Sequence, residues 1–257
     1  MTGGAAGALR ALVCLLAAEG VNAGDAPTTR TPPPPDAGVV GVPAEIDAQG
    51  PNRVCLDGLR ERHVPFVESP TKGVRTPVRI LGPIGALRLR SHDRRATGLA
   101  NPLMDCELAR ALLDAAAAFR SLGIRDLLFS GTYQYRTRRH STKLSEHAHG
   151  LAIDVHTFAL DADAADDATL DVSRDFEAEV GTWAVTDQDS CIGQPRTSKG
   201  RLLRTLACRL RASSVFREVI TPDDNADHHD HFHLEAFPDA LTRTRAVLAR
   251  RPSVIDD

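Results

Sequence analysis

Aromatic side chains are scarce. One Trp, two Tyr and eight Phe make up 4% of the 257 residues, so we expect an aliphatic, alanine-rich core. Lysine is almost absent, with only Lys72, Lys143 and Lys199; arginine carries the remaining basic charge. Excess charge of either sign is lacking too. The formal net charge is −3, which gives no overall bias toward nucleic acid or anionic membrane. No apolar run reaches the roughly 20 residues that span a bilayer, so no stable membrane span is expected. No C-x-x-C spacing occurs, which disfavours a cysteine-only zinc site. No internal repeat is visible, and nothing in the chain speaks to oligomeric state. The 42% hydrophobic and 25% charged residues that remain are the proportions of a soluble globular protein.

Residues 1–23 have the layout of a secretion signal. Arg10 precedes a short apolar run, Ala11 to Ala18, and Val21-Asn22-Ala23 fits a small-residue cleavage site. Residues 24–50, with four prolines at 32–35, read as an extended Pro-rich linker. The folded domain is expected over 51–243, with a tail at 244–257. Of five cysteines, Cys14 would leave with the signal. Cys55, Cys106, Cys191 and Cys208 remain. An even number in an exported chain suggests two disulfides. Three pairings are open, and we favour Cys55–Cys106 with Cys191–Cys208. Export to the periplasm or cell surface follows.

Periodicity suggests helices over 55–63, about 103–121, parts of 173–187, 198–212 and 240–250. Short strands are expected at 64–67, 77–81, 87–89, 126–130, 151–158, 216–220 and 231–236. The acidic stretch 161–171 reads as a surface excursion. It lacks the glycine and the final glutamate of a calcium loop.

Seven of the ten histidines fall in two short segments, 147–156 and 228–233. A catalytic zinc site uses three protein ligands and leaves a fourth position for water. His147, Asp154 and His233 supply two nitrogens and a carboxylate oxygen. Asp154 sits in an apolar run, Ala152-Ile153-Asp154-Val155, where an uncompensated carboxylate would be costly to bury. His231 and His233 are two residues apart and would share one face of a strand. That places His231 beside the metal as a general acid/base. Arg136, in the loop after strand 126–130, would stabilise developing negative charge or clamp a substrate carboxylate. His149 and His156 are read as supporting or surface residues. His228 is placed near the cleft, and His63, His92 and His140 are taken as ordinary.

Several phrases together resemble the bacterial extensin-like C-terminal domain family, within the D-Ala-D-Ala metallopeptidase and hedgehog-like superfamily. They are Cys55-Leu56, Ser130-Gly131-Thr132-Tyr133, Arg136-Thr137-Arg138, Leu144-Ser145-Glu146-His147-Ala148, Gly150-Leu151-Ala152-Ile153-Asp154-Val155 and His228 to Leu234. The resemblance covers about 51–240. It implies an α+β fold with a small antiparallel sheet, flanked by helices, under a single zinc site. It implies zinc (Zn2+) on His147, Asp154 and His233, with His231 as base and Arg136 binding the intermediate or a carboxylate. The activity implied is hydrolysis of peptidoglycan stem peptides or cross-links by zinc-activated water. The alternative is a zinc-containing, non-catalytic cell-wall or protein binding module. Two departures stand out. A cysteine expected near Gly73-Val74 and another expected at Tyr135 are missing together, as would follow if the two formed one disulfide. Some relatives carry a glutamate base three residues before the last ligand, where this chain has Asp230.

Overall fold

Asn52 opens the first helix, α1 (Arg53–Glu61), by accepting a hydrogen bond from the Cys55 N–H. Its buried face carries Cys55, Leu56 and Leu59, as the sequence spacing suggests. The computed structural model describes residues 52–249, apart from 94, 96–97, 140, 162–167 and 179–190. The expected signal (1–23), the linker (24–50), the tail beyond 249, His140 and most of the acidic stretch lie outside the described residues.

Two sheets follow. The smaller is antiparallel, in the order β1 (Phe66–Glu68), β2 (Pro77–Ile80) and β4 (Leu103–Asp105). The larger has six strands: β3 (Arg88–Ser91), β5 (Ile124–Gly131), β6 (Ala152–Leu160), β9 (Phe232–Glu235) and β8 (Glu218–Ile220) in that order. Its sixth strand, β7 (Thr169–Asp171), pairs with the end of β6. A small antiparallel sheet was expected. The large sheet is instead mixed, because β3 runs parallel to β5. The chain between them passes through β4 and the helix α2 (Cys106–Arg120), the kind of long crossover that parallel pairing requires.

The sequence pattern started that helix near 103. Leu103 and Met104 are spent instead on pairing with Arg79 and Val78. Asp105 then caps the helix, its side chain accepting from the Glu107 N–H. A carboxylate at this position satisfies a donor that no helical carbonyl can reach. The helix α3 (Val172–Asp175) is shorter than the 173–187 expectation, part of which lies outside the described residues. The helices α4 (Ser198–Ser213) and α5 (Ala240–Ala249) match their expected spans, and α5 carries helix past residue 243.

Alternation along β6 and β9 sorts the two faces of the large sheet. Ile153, Val155, Phe232 and Leu234 are fully buried with Leu108, Leu112 and Phe119 of α2 and Leu203, Leu206 and Leu210 of α4. The core is not purely aliphatic. Phe158 and Phe232 meet edge to face, with Phe119 and Phe176 against them. Half of the chain's few phenylalanines thus gather beneath the two central strands. Asp154, His233 and Glu235 point to the opposite face.

The favoured disulfides are both formed. Cys55–Cys106 ties α1 to the start of α2, and Cys191–Cys208 ties a loop to α4. Disulfides persist in oxidising compartments, so the pair points to an extracytoplasmic protein. Among the described residues no helix is long and apolar enough to cross a membrane.

Candidate metal centre

Strand register brings two of the site residues together. Asp154 of β6 lies directly opposite His233 of β9, and their side chains share a face. His233 Nδ1 donates to Asp154 Oδ1 at 2.8 Å. A one-residue slip would send one of them into the core.

His147 arrives from a 3-10 turn, Glu146–His149, just before β6. Ser145 opens the turn by accepting from the His147 N–H, and Gly150 closes it in the left-handed conformation at φ 65°. A Cβ on Gly150 would stand 2.7 Å from the Asp105 backbone nitrogen, so the turn closes tightly only with glycine. The spacing Ser145-x-His147-x-x-Gly150 is therefore a capped turn that aims one imidazole. That imidazole places Nε2 3.1 Å from Asp154 Oδ2. The two oxygens of the aspartate thus face His233 and His147 respectively.

The donor atoms of His147, Asp154 and His233 all lie within 4.8 Å of one another. Burial works to raise the Asp154 pKa. Hydrogen bonds and charge interactions with His147 and His233 outweigh it and hold the carboxyl well below the ordinary range. A largely buried carboxylate between two converging imidazoles is a donor set suited to a divalent transition metal. The residues present fit such an ion. His233 Nε2 lies 3.8 Å from the buried carboxylate of Glu235, which is itself paired with Arg217. A carboxylate behind a ligating imidazole orients the ring and raises its basicity.

His231 precedes β9 rather than lying in it, yet its ring reaches the centre, with Nε2 3.5 Å from Asp154 Oδ1. Its Nδ1 donates to Asp230 Oδ1 at 2.7 Å. A carboxylate only accepts, so this bond places a proton on Nδ1, and in the neutral ring it is Nε2 that carries the lone pair and faces the centre. The His228 ring lies tilted against that of His231 and edge-on to that of His233. Burial and these two neighbours press its pKa down to about 4, so it is neutral at pH 7.

The centre lies in an open cleft of about 410 Å³ whose wall includes Arg136, Arg138 and Arg139. Arg138 pairs with Glu146 at 2.8 Å and Arg139 with Asp227 at 3.0 Å. Arg136 bonds only the neutral Gln134, at 3.1 Å. Among the described residues it has no carboxylate partner. A larger cavity, about 500 Å³, lies between α1, α2 and α5 and contains none of these histidines.

A family model described as "Extensin-like protein C-terminus" matches residues 54–245. The chain belongs to the extensin-like C-terminal family. No curated protein and no solved structure matches it.

In this extensin-like domain the expected residues assemble in one place: His147, Asp154 and His233 in contact, His231 beside them and Arg136 on the cleft wall. His149, read from sequence as a supporting or surface residue, bonds through Nδ1 to the Gly73 carbonyl. Gly73 lies against Tyr135, since a Cβ at 73 would meet the tyrosine ring at 3.0 Å. The two places where cysteines were expected are thus neighbours. Here Lys72 over the Tyr135 ring, Nζ 4.2 Å from its centre, occupies the contact. Asp230, singled out from sequence as standing where some relatives carry the base, bonds His231. Sequence reasoning missed two participants: Glu235 stands behind His233, and His92 stacks on His156 with ring centres 4.4 Å apart. A signal existed for Glu235, an acid at strand spacing from His233. None existed for His92, which is distant in the chain.

Proposed function

We propose that this domain is an exported zinc peptidase that hydrolyses peptide bonds in peptidoglycan stem peptides or cross-links. The observation that carries the reading is the pairing of a His-Asp-His donor set with a histidine held in one tautomer beside it. A metal held only for structure has no use for His231 fixed by Asp230 with its free nitrogen turned inward. His147, Asp154 and His233 would hold the zinc, a set of two nitrogens and one oxygen. When bound, zinc acidifies a water molecule toward a pKa of about 7 and polarises a carbonyl.

The chain's own residues do the rest. His231 Nε2 accepts the proton of the attacking water and returns it to the leaving amine. Asp230 keeps Nδ1 protonated during the first transfer and stabilises the imidazolium that results. Arg136, without an acidic partner among the described residues, offers its guanidinium to a carboxylate or to the charge that develops on the scissile carbonyl. Wall stem peptides carry free carboxylates, and an open cleft edged by three arginines suits them. The superfamily of D-Ala-D-Ala metallopeptidases, which the joined His147–Asp154 and His231–His233 segments resemble, supports the same substrate class. The signal-like segment and the two disulfides support action in the periplasm or at the cell surface.

The test joins metal analysis of the purified protein to hydrolysis of muropeptides by the wild type and His231→Ala. One zinc per chain and turnover lost about 10²–10⁴-fold in the variant is the expected result. Zinc without turnover on any wall peptide would assign a binding module instead, and absence of zinc would sink both.

A further inference from the structure

We infer that His156, Asp230 and His231 form a second, weaker site for an imidazole-binding divalent cation of the zinc type. Their donor atoms all lie within 4.8 Å of one another. Both imidazoles turn Nδ1 toward the same aspartate. His231 Nδ1 is 2.7 Å from Asp230 Oδ1, and His156 Nδ1 is 3.7 Å from Asp230 Oδ2 and 3.1 Å from its carbonyl oxygen. The far nitrogens are also placed. His156 Nε2 lies 2.9 Å from Ser130 Oγ, and His231 Nε2 lies 3.5 Å from Asp154 Oδ1. Imidazoles that ligate metals characteristically have the second nitrogen bonded to an oxygen, as it is to Ser130 in His156, which fixes that ring's orientation. The stacked His92 ring further restricts rotation of His156.

Two nitrogens and one carboxylate favour zinc and its neighbours over calcium or magnesium, which prefer all-oxygen shells. The cluster opens to solvent, since the Asp230 side chain is 38% exposed. An exposed carboxylate on a segment outside the strands is less rigidly held than Asp154, which makes this the weaker site.

The consequence rests on the peptidase reading above. A cation on His231 Nδ1 takes the lone pair there, and the proton of the neutral ring then resides on Nε2. Nε2 can no longer accept a proton from water. Occupancy of the second site would therefore switch off the base while the first site stays filled.

The experiment uses the full chain, stripped of metal by chelation. It is titrated with Zn2+ against a chromophoric chelator and with Co2+ by visible absorption. Two equivalents are expected for the wild type, the second bound more weakly. His156→Ala and Asp230→Asn should each bind one equivalent, and that retained tight equivalent reports an intact fold. His147→Ala should lose the tight one. A single equivalent in the wild type that disappears in His147→Ala would overturn the second site and leave the first standing. Two equivalents persisting in both His156→Ala and Asp230→Asn would overturn it as well. No binding at all would remove both sites together.

Discussion

Glu235 carries the most informative single-residue test. Its carboxylate is buried, paired with Arg217 and 3.8 Å from His233 Nε2. Replacing it with glutamine keeps the volume and removes the charge that orients the ring. Metal affinity should fall by about 10–100-fold, measured by competition with a chelator, while the far-ultraviolet circular dichroism stays unchanged. An unchanged affinity would mean that His233 is oriented by register alone. Arg136 tests the other wall of the cleft. Arg136→Lys keeps the charge but loses the planar fork. If it grips a carboxylate, KM should rise about tenfold or more with little change in zinc content. At this scale the candidate His-Asp-His group was legible because chemistry restricts which side chains can bind a transition metal. Partners such as Asp230 and His92 were not, because their role depends on where a ring points, and spacing along the chain does not encode that.

Two local devices at the level of secondary structure aim the site, and both meet at Asp105. The first is the turn that holds His147. Gly150→Ala would introduce a Cβ at positive φ against the Asp105 backbone nitrogen. We expect a destabilisation of roughly 1–3 kcal/mol in urea unfolding, together with weaker metal binding as the turn opens. The second is the cap of α2. The Asp105 side chain accepts from the backbone N–H groups of Glu107 and Thr76. Burial pushes its pKa up to about 7 despite those bonds. The folded state therefore holds this proton more tightly than the unfolded chain. The contribution is fully present below the unfolded value near pH 4 and is lost as pH rises through about 7. Stability should fall by roughly 2–3 kcal/mol between pH 5 and pH 8 from this group. Asp105→Asn should flatten that slope, read as urea midpoints at the two pH values. The start of α2 was misplaced from sequence for the same reason that the cap matters: Leu103 and Met104 fit a helix face and a strand equally well, and pairing with β2 decided between them.

For the whole molecule, the two disulfides set how firmly the layers are joined. Cys55–Cys106 closes a separation of 51 residues and Cys191–Cys208 one of 17. On chain-entropy grounds the first is worth about 4 kcal/mol and the second about 3 kcal/mol. Serine pairs at 55 and 106 should therefore lower the melting temperature more than serine pairs at 191 and 208. The reverse order would show that the loop tied to α4 matters more than the α1–α2 junction. The mixed sheet belongs to this scale as well. An antiparallel sheet was the expectation, and β3 departs from it because a short strand of Arg-Leu-Arg-Ser carries no mark of the direction of its neighbour. The crossover through β4 and α2 sets that direction.

The amino-acid sequence by itself determined which side chains could serve as metal ligands, that four cysteines remain for two disulfides, and most element positions. These are local matters: donor type, count, and a periodic apolar face. Tertiary structure alone decided that Asp154 stands opposite His233, that Asp230 fixes the tautomer of His231, and that His92 and His156 stack beside them. The first depends on strand register across 79 residues of chain, and the others on where each ring is turned once the chain has folded. That information resides in how β6 and β9 pack over a shared core, where burying Ile153, Val155, Phe232 and Leu234 forces Asp154 and His233 onto the other face.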